Sequence, residues 1–419
     1  MLRSTGSAGV AALATLLVTG CVGDTLDGGA TAALIGGADS ELRSVVTIGP
    51  GLCGATLVAP NLLLTAKHCV ARLFPGPFEC NQAGEVVQVD PTGQVTYPDA
   101  GKYGPTTAAE SILVGPIVSP YAPHVVAVLV TPGAVICEDD AALLILDRPV
   151  DNPVLAPLRL DDSPAIGESL VAVGYGATLD ADFSSTLQER DVLVEAVGPA
   201  AEIPDVASAV SAGFFTTGEA TCRGDSGSPA LSTSGAVVGV ASSVSRIDLD
   251  APTGTSSDCV SPLARSTFQS LDAIRDFLLE GLAAAGATPW LDGEPDPRAG
   301  LEDFGAACTT DDECRSNACV DDGEGIRFCT RGCLYDACPE GHACELVEDR
   351  MRCLPGSEPD AGSEPDGGQG PGADDGDGGC GCRTGADPGS ALLLVGVMVL
   401  GLRRRRASDS CRVGAGPIS

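Results

Sequence analysis

The stretch Leu62-Leu63-Leu64-Thr65-Ala66-Lys67-His68-Cys69 joins a short apolar run of β type to one of only three histidines in the chain. A lone histidine beside such a run is more often structural than catalytic. His68 has company, however. Asp140-Ala141-Ala142-Leu143-Leu144 sets a carboxylate at the head of a second β-type run, and Gly224-Asp225-Ser226-Gly227-Ser228-Pro229 sets a hydroxyl between glycines. The other two histidines carry no partner signature: His124 lies in Pro123-His124-Val125, and His342 lies in a cysteine-rich segment.

Around these blocks, residues 34–285 hold further β-type runs at Val125–Val130, Leu170–Val173 and Val237–Val240, divided by Gly, Pro, Asp and Ser. Such punctuation predicts an all-β barrel or sandwich. Leu271, Ile274, Phe277, Leu278 and Leu282 recur at helical spacing and predict one helix closing the section. The 419 residues suffice for about two or three domains, and 44% hydrophobic residues supply a sizeable core. The 54 glycines and 30 prolines favour loop-rich β structure over helical bundles. With 24 Lys and Arg against 57 Asp and Glu, the net charge of −33 excludes a nucleic-acid binder, because no basic surplus exists to neutralise phosphates. Eighteen cysteines point to an oxidising compartment outside the cytoplasm.

Cys53-Gly54 and Leu64-Thr65-Ala66-Lys67-His68-Cys69 closely resemble the histidine block of the trypsin/chymotrypsin family of serine proteases. Asp140-Ala141-Ala142-Leu143-Leu144 resembles its aspartate block, and Gly224-Asp225-Ser226-Gly227-Ser228-Pro229 its nucleophile block. Val173-Gly174-Tyr175-Gly176, Leu34-Ile35-Gly36-Gly37 and the terminal helix are further landmarks. Gly-Asp-Ser-Gly alone is a moderate signal; all blocks in the order His, Asp, Ser at domain-scale spacing are a strong one. The resemblance implies a chymotrypsin-like double β-barrel with a C-terminal helix over residues 34–285, acting on protein or peptide substrates without a cofactor or metal.

The same resemblance assigns roles. His68 would take the proton of Ser226, a poor nucleophile at its free pKa, and later pass it to the leaving amine. Asp140, buried, would hold the imidazole tautomer. Asp139 competes for that place, but the Asp-x-Ala-Leu-Leu register points to Asp140. Backbone N–H groups of Gly224 and Ser226 would form the oxyanion hole, each donor worth ~3 kcal/mol in the transition state. Ala220, six residues before Ser226, would lie at the base of the S1 pocket, where a basic P1 side chain meets no carboxylate. Glu219, next to it, is near enough to reach in. Ser242-Ser243-Val244 stands where the family often has Ser-Trp-Gly, so Val244 narrows the pocket and favours a small or medium apolar P1. The loop from Val244 to Cys259 is long for the family. Activation would cut Ala33–Leu34, and the freed amine of Leu34 would pair with Asp225. No basic residue precedes that bond, which implies a processing enzyme unlike trypsin, or self-cleavage after alanine.

In the family, Cys53 pairs with Cys69 and Cys222 with Cys259. Cys80 and Cys137 are then left over in the domain, and pairing them would staple a long insertion to the loop before Asp140. Residues 286–303 read as a linker. Residues 304–355 carry eight cysteines and too little core, so disulfides must hold this small module. A metal there is the less favoured reading, since only His342 accompanies the cysteines. Residues 356–379 carry seven acidic and no basic residues, a solvated Gly/Pro-rich spacer.

Both ends read as processing signals. Residues 1–21 show Arg3, an apolar run and Val18-Thr19-Gly20-Cys21, which resembles a lipobox with Cys21 as the lipidated residue; a plain secretory signal fits the same residues. Residues 22–33 fit a short propeptide. In residues 380–406, Cys380-Gly381-Cys382, the apolar Gly389–Leu402 and four arginines resemble the sorting tails of myxobacterial surface proteins. A stretch of 14 residues spans roughly 21 Å, short of the ~30 Å hydrocarbon core, so a membrane anchor there is marginal. Residues 407–419 form a further tail. The expected location is the outer membrane or cell surface, through the lipid or the C-terminal tail, or secretion. The reading competing with an enzyme is a catalytically inactive protease-fold surface binding protein with an adhesive cysteine-rich module. Oligomeric state is not set by the sequence.

Overall fold

A computed structural model describes residues 34–356, except 35–36, 50–52, 77, 88–97, 116–118, 178–183, 185, 201–208, 246–258, 260–263 and 335. The lipobox with Cys21, the propeptide with Ala33, the acidic spacer from residue 357 and the tail with Cys380 and Cys382 lie outside the described residues.

The β-type runs form two antiparallel sheets. The first curls as a half-barrel in the order Val125–Val130, Ala142–Leu146, Leu62–Thr65, Cys53–Ala59, Val45–Gly49, Leu113–Val114. The second runs Gln188–Val197, Ser169–Gly174, Pro229–Leu231, Val237–Ser245, Arg265–Ser270, Phe214–Thr217, with Ala38–Asp39 added at its edge. Phe214–Thr217 pairs back onto Gln188–Val197, so these six strands close into a barrel. The fold is the chymotrypsin-like one that the family resemblance implied.

Side-chain alternation explains why the two sheets pack together. Successive residues of a strand face opposite ways. Leu63, Ala142 and Leu144 fill the first sheet's interior with Ile48 and Leu57. Their neighbours Leu62, Leu64 and Leu143 point the other way, into a layer shared with Val173, Leu231 and Val240 of the second sheet. Leu278 and Leu282 of the helix Arg275–Ala284 join that layer. Burying each such leucine stabilises the fold by about 1.5–3 kcal/mol. The closed barrel has its own core, in which Phe215 and Phe268 stack at 5.2 Å.

The segment 286–303 is bound along the barrel junction. Leu158 donates its N–H to the Trp290 carbonyl (2.8 Å), and Asp292 donates to that of Leu158 (2.9 Å). The eight cysteines of 304–355 pair among themselves as Cys308–Cys319, Cys314–Cys329, Cys333–Cys344 and Cys338–Cys353. They staple two hairpins, Cys319–Asp321 with Arg327–Cys329 and His342–Val347 with Arg350–Pro355. The module sits against the loop that leaves strand Ala142–Leu146. Arg350 lies 2.9 Å from the Asp151 carboxylate and Arg352 lies 3.8 Å from it. Asn152 donates to the Gly332 carbonyl at 2.9 Å. Among the described residues, no helix is long and apolar enough to cross a membrane.

Candidate active site

Strand pairing sets the site. Ala142 lies opposite Thr65 in the first sheet, so Asp140, just before one strand, arrives beside His68, just after the other. The short helix Lys67–Val70 carries His68, and the Cys53–Cys69 disulfide ties that turn to strand Cys53–Ala59. Asp140 donates its own N–H to Oε1 of Gln269 in the closed barrel (2.9 Å), which fixes the loop across both sheets.

Asp140 is fully buried, and its carboxylate is saturated with donors. Oδ2 lies 2.7 Å from Nδ1 of His68 and accepts the Ser242 hydroxyl at 2.6 Å. Oδ1 accepts the backbone N–H of His68 (2.9 Å) and lies 2.8 Å from the Tyr103 hydroxyl. An ionised carboxylate only accepts, so Nδ1 of His68 carries the proton and Nε2 is the free basic nitrogen. Burial alone would raise the Asp140 pKa, but the His68 charge and these hydrogen bonds outweigh it and hold the carboxyl below its ordinary value. Burial would lower His68, and the Asp140 carboxylate outweighs that too, so the imidazole lies above its ordinary value. Asp139 faces elsewhere: it accepts the Gly133 N–H (2.7 Å) and lies 3.6 Å from the Lys67 ammonium.

Ser226 is held against the turn of His68 through the backbone, its carbonyl 3.6 Å from Sγ of Cys69; among the described residues no hydrogen bond joins its hydroxyl to His68. Gly54 donates its N–H to the Ser226 carbonyl at 2.7 Å, and Gly54 is the residue after Cys53. The approach is close enough that a Cβ on Gly54 would stand 1.9 Å from Oγ of Ser228. Within the turn, Asp225, Gly227 and Ser228 spend their N–H groups on the carbonyls of Cys222, Ala241 and Asp225. The fully buried Asp225 accepts N–H groups from Gly176 (2.7 Å) and Cys222 (2.9 Å). Burial pushes its carboxyl up to about 7 against the pull of those two bonds. Leu34 is buried in the closed barrel's core with Leu170, Phe215 and Ala220.

Beside Ser226 opens a cavity of about 310 Å3, lined by Thr221, Cys222, Arg223, Ala241, Ser242, Ser243, Val244 and Cys259. Ser242 therefore both lines the cavity and holds Asp140. Ala220 is fully buried in the barrel core next to Thr221, and Glu219 forms an ion pair with Arg190 at 3.4 Å. Most of the loop between Val244 and Cys259 lies outside the described residues.

The structure joins Cys222 to Cys259 and Cys80 to Cys137. Among the described residues, three groups of side chains lie close enough to share a metal: Cys53, His68 and Cys69; Cys308, Cys314 and Cys329; and Cys333, Cys338 and Cys344. All of these cysteines are in disulfides and have no thiolate to offer.

Three participants, Lys67, Tyr103 and Gln269, have no role in the sequence reading. Lys67 stands in the sequence only as one member of the histidine block. Tyr103 comes from the insertion between Cys80 and Cys137, far from any motif. The one available signal was the pairing of those two cysteines, which brings the insertion to the loop before Asp140. No curated protein matches the chain. Residues 35–255 match the Trypsin family. With more than half of its length matched and this fold around the matched residues, the chain belongs to the trypsin family.

Proposed function

We propose that the chain is an exported serine endopeptidase that cleaves protein or peptide substrates through an acyl-enzyme. The observation that carries this is the 2.7 Å contact between His68 and Asp140 beside a cavity lined by Ser226. Nε2 of His68 takes the Ser226 proton as Oγ attacks the scissile carbonyl, and returns it to the leaving amine; water then repeats the sequence on the ester. Asp140 keeps the tautomer and stabilises the imidazolium. The N–H groups of Gly224 and Ser226, which bond nothing among the described residues, receive the oxyanion.

Thr221 and Val244 line the cavity and Glu219 is paired with Arg190, which supports a small or medium apolar P1. Activation is a cut at Ala33–Leu34, after which the amine of Leu34 pairs with Asp225. The fully buried Asp225 carboxylate, which accepts only two backbone N–H groups among the described residues, supports that step, since it would gain a counter-charge. The seven disulfides among the described residues support an extracellular site of action. Lipidation at Cys21 and a C-terminal sorting tail would place the enzyme at the outer membrane or cell surface. Ser226→Ala in the cut full-length chain is expected to lower peptide hydrolysis by about 10^4-fold or more while the melting temperature stays put. Undiminished hydrolysis by the purified variant overturns the proposal.

A further inference from the structure

Lys67 is a buried cation one residue before His68, with its side chain 6% exposed. A buried ammonium must find partners, because desolvation is costly. It finds them almost entirely in the segment leading to Asp140. Nζ donates to the carbonyls of Thr131 (2.5 Å) and Gly133 (2.6 Å), and Asp139 supplies a carboxylate at 3.6 Å. The fourth neighbour is the ring of Tyr103, whose centroid lies 4.3 Å from Nζ. Lys67 thus fastens the turn of His68 to both the Asp140 loop and Tyr103.

Tyr103 is held from a second side. It donates its N–H to the Ala134 carbonyl (3.0 Å), and Ile136 donates to that of Gly101 (2.9 Å). The Cys80–Cys137 disulfide closes the same junction. So fixed, the Tyr103 hydroxyl stands 2.8 Å from Oδ1 of Asp140 and 2.9 Å from the Asp139 carbonyl. It has one proton, and the charged carboxylate is the stronger acceptor.

We propose that Tyr103, oriented by the Lys67 ammonium, is a positioning residue that fixes the Asp140 carboxylate for His68. The proposal rests on reading His68, Asp140 and Ser226 as catalytic. Its physical content is a competition for one carboxylate. The Tyr103 hydroxyl draws part of the Asp140 charge towards Oδ1, away from the imidazolium that forms at Oδ2, and it restrains rotation of the carboxylate plane. Burial and the nearby Asp140 charge keep the phenol itself protonated far above neutral pH. The charged groups around the pair are Lys67, Asp139 and Glu138, and none of them is altered by replacing the hydroxyl.

Tyr103→Phe keeps the ring over Lys67 and removes only the hydroxyl. In the full-length Ser226→Ala protein, NMR titration of the His68 imidazole should show its pKa raised by about half a unit, since a donor to the opposing carboxylate is gone. In the activated protein with Ser226 intact, the same replacement should lower kcat about five- to tenfold with KM unchanged. The acid limb of kcat/KM should move up with the imidazole. An unchanged or lowered His68 pKa, or an unaltered kcat, overturns the proposal. The titration needs no turnover, so it decides the role of Tyr103 even if the protein proves not to hydrolyse peptides. An active enzyme indifferent to Tyr103→Phe sinks this proposal alone.

Discussion

The Asp225 carboxylate accepts the N–H of Gly176 at 2.7 Å, in a space that only glycine leaves open. A Cβ on Gly176 would stand 2.3 Å from Oδ2, and one on Gly174 would stand 2.0 Å from Oδ1. The landmark Val173-Gly174-Tyr175-Gly176 is thus a cradle for one buried acid. Its pKa of about 7 lies above the unfolded value, so the protonated form favours folding. The stabilisation is complete below about pH 4 and is lost as pH rises through 7, a difference on the order of 4 kcal/mol. Urea unfolding of uncut Ser226→Ala chain between pH 4 and 8 should show this decline, and adding Asp225→Asn should flatten it. Identical slopes with and without the Asp225 carboxyl would contradict the account.

Gly54→Ala should damage stability and activity together. The new Cβ would meet Cα of Ser228 at 3.1 Å as well as its hydroxyl, so side-chain rotation alone cannot relieve the clash. Overpacking of this kind costs about 1–3 kcal/mol. Because Gly54 also bonds the Ser226 carbonyl, kcat should fall further than the lowered melting temperature explains. A variant with full kcat would show that this junction does not place Ser226.

Asp151 is the charge on which the cysteine-rich module docks. Asp151→Ala removes the ion pairs of Arg350 and Arg352 to the barrel loop and leaves both guanidiniums to Asp311, a carboxylate of the module itself. The loss should be about 1–2 kcal/mol, less than for breaking an isolated buried pair, because Asp311 keeps both guanidiniums paired and burial holds the Asp151 carboxyl above its ordinary value despite them. Limited proteolysis should then open the chain within 286–303. Unchanged protection there, with an unchanged melting temperature, would mean the ion pairs do not secure the module.

A peptide library profiled with the activated enzyme should favour alanine or valine at P1 over lysine and arginine. Val244 occupies the cavity wall, and Glu219, the acid next to Ala220 in sequence, is engaged with Arg190. Strong preference for arginine would assign the Glu219 carboxylate to the pocket after all.

What was legible in the sequence was legible for packing reasons. Gly54 and Gly174 stand where another residue's atoms come too close for a side chain, so those positions tolerate little else and read as landmarks. The Leu62–Leu64 run was readable because every one of its side chains is buried, alternately in the half-barrel and in the junction. Tyr103 was not readable, since its place depends on how an insertion folds back through Cys80–Cys137 rather than on local spacing. Lys67 carries no pattern of its own; its two hydrogen-bond acceptors are backbone carbonyls, which any sequence provides. The segment around Leu291 read as a linker because its bonds to Leu158 are backbone bonds as well.

The most direct test of the central claim is covalent labelling. Activated full-length protein treated with a fluorophosphonate and digested should carry the phosphonyl group on the peptide containing Ser226. The label should vanish in Ser226→Ala and fall steeply in His68→Ala, because Oγ attacks only when Nε2 can take its proton. Folded, activated protein that takes no label, or takes it on a serine other than Ser226, would contradict the account.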